Sequence, residues 1–154
     1  MAEYNIDELS FWHYGDTKEE ANKVVEEILM GRRTVFISDF SYLSDYDPYE
    51  IRQYTNEELQ SLISEYRDMY PRKGELNVIT DWDGNPKVVI RTLGFGLMHF
   101  EDVPLDLASC EHGDMKIEDW RKRKEEEILE HSLREYLDPR EVLQIELFEV
   151  LEKL

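Results

Sequence analysis

Gly31-Arg32-Arg33-Thr34-Val35-Phe36-Ile37-Ser38 is the corner on which the fold of this chain turns. The leading glycine suits the left-handed stop of a helix. The β-branched and aromatic residues behind it suit a strand. Upstream, Thr17-Lys18-Glu19-Glu20 is a capping box, whose threonine and glutamate can satisfy orphan amides. Ala21, Val24, Val25, Ile28 and Leu29 then recur at spacings of three and four and give one apolar stripe. The sequence therefore predicts a helix over 17–30, a positive backbone angle at Gly31 and a strand over 33–38.

Downstream, residues 39–54 are rich in tyrosine and aspartate without a clear period, and read as a loop. Thr55-Asn56-Glu57-Glu58 is a second capping box, followed by Leu59, Leu62, Ile63, Tyr66 and Met69 on one helical face up to Pro71. Strands are predicted at 76–80 and 87–93, joined through Asp81-Trp82-Asp83-Gly84-Asn85-Pro86. A bent strand at 95–100 follows, since glycine within a strand often marks a bulge. Pro104 suits the first turn of a short helix through Ser109. A polar break at His112-Gly113-Asp114 leads to a helix over about 116–136, ended by Pro139. Its inner face carries Ile117, Trp120, Ile128 and Leu129, and its run from Arg121 to Glu127 reads as solvated. An alternating tail predicts a last strand at 142–150. The expected class is α+β: a small mixed sheet with helices outside, not an alternating doubly wound fold, in one domain over 1–154.

The 154 residues are 41% hydrophobic, which suffices for one packed core. Thirty-six acids against eighteen bases leave a formal charge of −18, which repels phosphate backbones and argues against extended duplex DNA binding. A confined basic cleft is compatible with that excess. Cys110 is the single cysteine, so no intramolecular disulfide and no four-cysteine zinc site is expected. No apolar run approaches a membrane span, and Met1-Ala2-Glu3-Tyr4-Asn5 lacks the regions of a signal peptide. A cytoplasmic protein is expected.

The chain carries no glycine-rich phosphate loop, His-Glu-x-x-His or nucleophile elbow. His13, His99, His112 and His131 show no metal-ligand spacing, and neither metal nor cofactor is expected. Cys110-Glu111-His112-Gly113-Asp114 packs potential ligands closely, but reads as a loop with Asp114 capping the next helix. Arg32 and Arg33 present guanidinium forks that match carboxylate or phosphate oxygens. Taken alone, they are expected to pair with neighbouring acids.

Resemblance supplies further context. Tyr14-Gly15-Asp16, the helix after it and Gly31-Arg32-Arg33-Thr34 resemble the opening of the ASCH family, Phe-Gly-Asp, a helix and Gly-x-Lys-x-x-Thr. Lys73-Gly74-Glu75, Val88-Val89-Ile90-Arg91-Thr92 and Phe100-Glu101-Asp102-Val103 are similar to its later pieces. Gly113-Asp114 with Glu118-Asp119-Trp120-Arg121 is similar to its Gly-Asp-x-Ser-x-x-x-Trp-Arg helix start. These pieces occur in family order across most of 12–150. The resemblance implies a PUA-like β-barrel of five or six strands, with a cleft beside the Gly-x-Lys-x-x-Thr corner. It also implies RNA or a nucleoside as ligand and, in some members, hydrolysis of RNA or acetylated cytidine. In those amidase members a lysine, a threonine and a glutamate act together. Here the lysine position is Arg33 and the threonine position Phe36, while the glutamate falls on Glu111 in one alignment and on His112 in another.

Arginine stays charged and can only stabilise an anion, and phenylalanine offers a stacking face but no nucleophile. Thr34 and Ser38 are hydroxyls on the same ideal-strand face as Phe36. Residues 39–72 exceed the family's usual length, and Tyr42, Tyr46, Tyr49 and Tyr54 there can stack on a base or pack the segment down.

Three readings follow. The first is a cleft binding RNA or a nucleoside or nucleotide through Gly31, Arg32, Arg33, Phe36, Ser38 and Arg91. The second is a hydrolase with Glu111 as base, Arg33 on the developing anion and Thr34 as a hydroxyl. The third is an acidic protein-interaction domain without a working site.

Overall fold

In the second capping box Thr55 Oγ accepts the Glu58 amide at 3.2 Å, and the Glu58 carboxylate accepts the Thr55 amide at 3.1 Å. In the first, Thr17 Oγ accepts the Glu20 amide at 3.1 Å, while Glu20 reaches back to the Asp16 amide. Helix α1 (Lys18–Leu29) starts there and buries Ala21, Val24, Val25 and Ile28, the predicted stripe. Gly31 ends it with φ at +74°, as the corner requires. The structure is a computed structural model that describes residues 4–40, 47–65, 72–112, 115–130 and 134–154. The predicted helical residues Tyr66 and Met69, with Tyr42, Tyr46, Gly113 and Asp114, lie outside the described residues.

Strands β1 (Ser10–Trp12), β2 (Val35–Asp39), β3 (Leu76–Thr80), β4 (Pro86–His99) and β5 (Val142–Lys153) form one sheet in the order β1-β3-β4-β5-β2. β1 and β3 run parallel and the other neighbours antiparallel. The remaining helices are α2 (Pro48–Ile51), α3 (Asn56–Glu65), α4 (Leu105–His112) and α5 (Ile117–Glu130). Among the described residues no helix is long and apolar enough to cross a membrane.

Four features correct the sequence reading. The sheet curls without closing into a hydrogen-bonded barrel, because β1 and β2 are its edges. The two strands expected at 87–93 and 95–100 are one long β4, whose register shifts between Thr92 and Gly94. The extra residue of that bulge absorbs the bend. Helix α4 continues through Cys110 and Glu111 rather than breaking into a loop. Helix α5 is described as far as Glu130, and residues 134–136, well before Pro139, are not helical.

The apolar residues divide between the sheet's two faces. On one, Phe36, Ile79, Val88, Ile90 and Phe148 pack against α1. On the other, Val35, Ile37, Leu143 and Ile145 pack against Trp120 and Ile128 of α5. Segment 47–65 makes a third cluster, with Ile51, Leu59 and Leu62 against Phe40, Leu97 and Val142. Tyr54 packs at its margin. His99 pins this segment, its ring nitrogens standing 2.7 Å from the Arg140 and Tyr54 carbonyl oxygens.

Candidate functional site

The edges β1 and β2 are joined by side chains instead of a ladder. Tyr14, just past β1, donates its hydroxyl to the Ile37 carbonyl at 3.1 Å, with Ser38 Oγ 2.5 Å away. Its ring stacks on Phe36 with centroids 4.8 Å apart, and Phe36 stacks on Phe148 at 4.5 Å. Trp12 tilts against Phe36 at 5.5 Å and anchors its indole N–H on Asn77 at 3.0 Å. Over this seam lies a cleft of about 910 Å³, walled by the 12–17 turn and α1 on one side and by α5 on the other. Ser38 on β2 and Gln144 and Glu146 on β5 also line it. That volume is at the upper end for a small-molecule site.

The structure distributes the predicted site residues unevenly. Arg33, Phe36 and Ser38 line the cleft. Phe36 is only 4% exposed between Tyr14 and Phe148, so it supports the wall and offers little face for stacking. Gly31 shapes the corner, and Arg32 and Thr34 are exposed outside the cleft. Arg91 also lies elsewhere, paired with Glu149, its register partner on β5. Of the described tyrosines in 39–72, Tyr49 lies against Arg52 and Tyr54 packs in the third cluster. The cleft's aromatics come instead from Trp12 and Tyr14.

Arg33 is the cation that the corner delivers. Its side chain is 4% exposed, its guanidinium carbon stands 5.7 Å from the Tyr14 ring centroid, and Glu27 lies 3.8 Å from Nη2. Nε and Nη1 make no hydrogen bond among the described residues.

A second buried cation was not expected. Trp120, Lys124 and Ile128 form the buried stripe of α5, so Lys124 points inward from a run that reads as solvated. Its Nζ donates to the Ile37 carbonyl at 3.0 Å, to Glu111 Oε2 at 2.8 Å and to Glu127 at 2.9 Å. Burial alone would push this amine down, but Glu111 and Glu127 outweigh it and hold the pKa above the usual lysine range. Glu111 is fully buried and does not line the cleft. Its Oε2 also accepts the Ile37 amide at 3.2 Å, and its Oε1 accepts the Trp120 indole N–H at 3.1 Å. Lys124 and Glu111 thus satisfy the outward N–H and C=O of Ile37, as a neighbouring strand would.

The cleft is a small polar field rather than a basic groove. Nine carboxylates and five cations line it. Two of the carboxyls hold their protons unusually well. Burial raises Glu146, although the Thr92 hydroxyl, 2.8 Å from its Oε2, opposes the shift. Burial, with help from Glu141, pushes Asp39 up to about 6 despite Arg134 at 2.8 Å. A folded-state pKa above the unfolded one gives stability that is complete below about 4 and lost as pH rises through about 6. Asp39→Asn should therefore gain on the native protein by about 1–3 kcal/mol between pH 4 and pH 7. Urea midpoints at the two pH values measure this, and an unchanged difference would contradict it. Among the described residues no group of three or more His, Cys, Asp or Glu is placed to hold a metal ion.

A family model described as the ASCH domain matches residues 10–152. No curated protein matches the chain. The crystal structure of a protein from Enterococcus faecalis V583, assigned to DUF984, is similar at 20% identity and a TM-score of 0.64, over 94% of this chain and 77% of the other. An ASCH domain from Lactobacillus crispatus JV V101 is similar at 22% identity and a TM-score of 0.57, over 92% and 79% of the two chains. The fold is α+β and PUA-like, with a sheet that curls without closing.

Proposed function

The chain belongs to the ASCH domain family, and on that premise we propose that its cleft binds a single nucleoside or nucleotide unit. The observation that carries this reading is Arg33, a buried guanidinium at the cleft with Nε and Nη1 unpartnered among the described residues. An unmet buried donor costs about 1–3 kcal/mol, and a charge-assisted bond to a phosphate oxygen would recover it. The excess of carboxylates around Arg33 favours a compact ligand with one anionic group over a strand of RNA. The single cysteine and the acidic composition suit work in the cytoplasm.

Thermal stabilisation by nucleosides, their 5′-monophosphates and short RNAs tests the proposal. A ligand at 100 times its Kd adds roughly 2.7 kcal/mol of stability. The monophosphate is expected to bind tighter than its nucleoside by about 10–100-fold, the worth of a hydrogen bond to a charged group. Short RNA is expected to bind no tighter than the monophosphate. Arg33→Met keeps the aliphatic packing and should erase the monophosphate's advantage. Full retention of that advantage would remove Arg33 from the site.

Hydrolysis of RNA or an N-acylated nucleoside is the weaker reading. It needs Glu111 to take a proton from water, yet Ile37, Trp120 and Lys124 already donate to that carboxylate. Lys124 is held protonated, and burial raises the Tyr14 phenol, so neither is a ready base for the Ser38 hydroxyl. Turnover that disappears in Glu111→Gln while ligand binding persists would restore the hydrolase.

A further inference from the structure

The polar part of the cleft floor has no structural explanation in the fold. Ser38 and Gln144 are register partners on β2 and β5, and Glu146 lies two residues further along β5. Side chains two apart share a face, so Gln144 and Glu146 point together into the cleft that both line. Glu146 is only 7% exposed, and its register neighbours are Phe36 on β2 and Phe95 on β4. An apolar side chain would suit that position, whereas a carboxyl is costly there unless it is well bonded. Thr92 donates to Oε2, the one hydrogen bond of that side chain among the described residues. Gln144 is half-buried, and its carboxamide makes none among them. The floor therefore offers an acceptor at Glu146 beside a donor and an acceptor at Gln144.

We infer that Gln144 and Glu146 read the edge of an amino-substituted nitrogen heterocycle. An amino N–H donates to Glu146, and the adjacent ring nitrogen or carbonyl oxygen accepts from the Gln144 amide. The inference rests on the nucleoside reading above and supplies its specificity. A neutral planar edge is also what an acid-rich cleft admits without electrostatic penalty. A site built to bond an N–H discriminates sharply against an analogue lacking it, because its own polar groups are then left unpaired.

Titration calorimetry with two nucleoside pairs tests this: cytidine against N4,N4-dimethylcytidine, and guanosine against inosine. The amino-bearing member of each pair is expected to bind at least about 10-fold tighter, the scale of one hydrogen bond to a charged group. Glu146→Leu should keep or raise Tm, since leucine fits between Phe36 and Phe95, and should reduce each preferred nucleoside to the affinity of its partner. Gln144→Ala is expected to weaken both members of a pair alike. Binding that ignores the amino hydrogens, or a preference that survives Glu146→Leu, overturns the inference and leaves Arg33 and the nucleotide reading standing. If no nucleoside binds, this inference falls. If the 5′-monophosphates also fail, the nucleotide reading falls with it.

Discussion

Lys124→Met is expected to destabilise the protein by about 3–5 kcal/mol, because breaking a buried ion pair from one side leaves the other charge uncompensated. For a chain of this length that is a Tm loss of roughly 6–20 °C. Methionine fills the same volume beside Trp120 and Ile128, so the loss is electrostatic rather than a cavity. Glu111 would keep the Ile37 amide and the Trp120 indole as donors but lose its counter-charge. Among the described residues the Ile37 carbonyl would keep Tyr14 alone as side-chain donor, and the outer edge of β2 would loosen. Glu111→Gln removes the charge and keeps an acceptor, so the pair Lys124→Met with Glu111→Gln should cost clearly less than the sum of its parts. Urea unfolding of both single variants and the double variant gives that coupling. A loss below about 1 kcal/mol in Lys124→Met, or strict additivity, would show that the pair contributes little to holding β2.

This pair also marks where the sequence is legible and where it is not. The corner at Gly31 and both capping boxes depend on residues within a few positions of one another, and local chemistry suffices to read them. The bend in β4 was signalled by Gly94 and Gly96. Strand β1 was missed because three residues paired only to β3 leave almost no periodic trace. Its neighbours Trp12 and Tyr14 were visible as an aromatic cluster, but their place across the seam from β2 depends on the whole sheet. Arg33, which the family motif brings to attention, lines the cleft, whereas Arg91 pairs with Glu149 across the strand pair. Lys124 did leave a trace, since it sits midway along the 120-124-128 stripe at a spacing of four. Its charged neighbours from Arg121 to Glu127 masked that spacing. Gln144 and Glu146 passed as the polar half of an alternating strand. Only the cleft beside them turns that side of β5 into a surface that faces a ligand.

Glu141→Ala is expected to cost a further 3–5 kcal/mol, or roughly 6–20 °C in Tm, by releasing the network that ties segment 47–65 to the sheet. Glu141 is fully buried. It accepts Arg52 Nη2 at 2.7 Å and Nε at 3.1 Å, and Arg134 Nη1 at 2.7 Å. Arg134 in turn donates to Asp39 at 2.8 Å, so one carboxylate links α2 to the end of β2 and to the cleft wall. Without it, Arg52 keeps Asp138 at 4.0 Å as its counter-charge among the described residues, and the segment is left to Arg140, His99 and its apolar cluster. Amide exchange in α2 and α3 should therefore quicken more than exchange in β4. The pH dependence adds an independent check. Glu141 is one of the groups that raise Asp39, so its removal lets the Asp39 pKa fall back toward the ordinary range while Arg134 stays near. The stability that the native protein loses between about pH 4 and pH 6 through Asp39 should shrink in Glu141→Ala. A uniform rise in exchange across all five strands would point to global loosening instead. An unchanged pH profile would mean that burial alone sets Asp39, and that the cleft and segment 47–65 are not electrostatically joined.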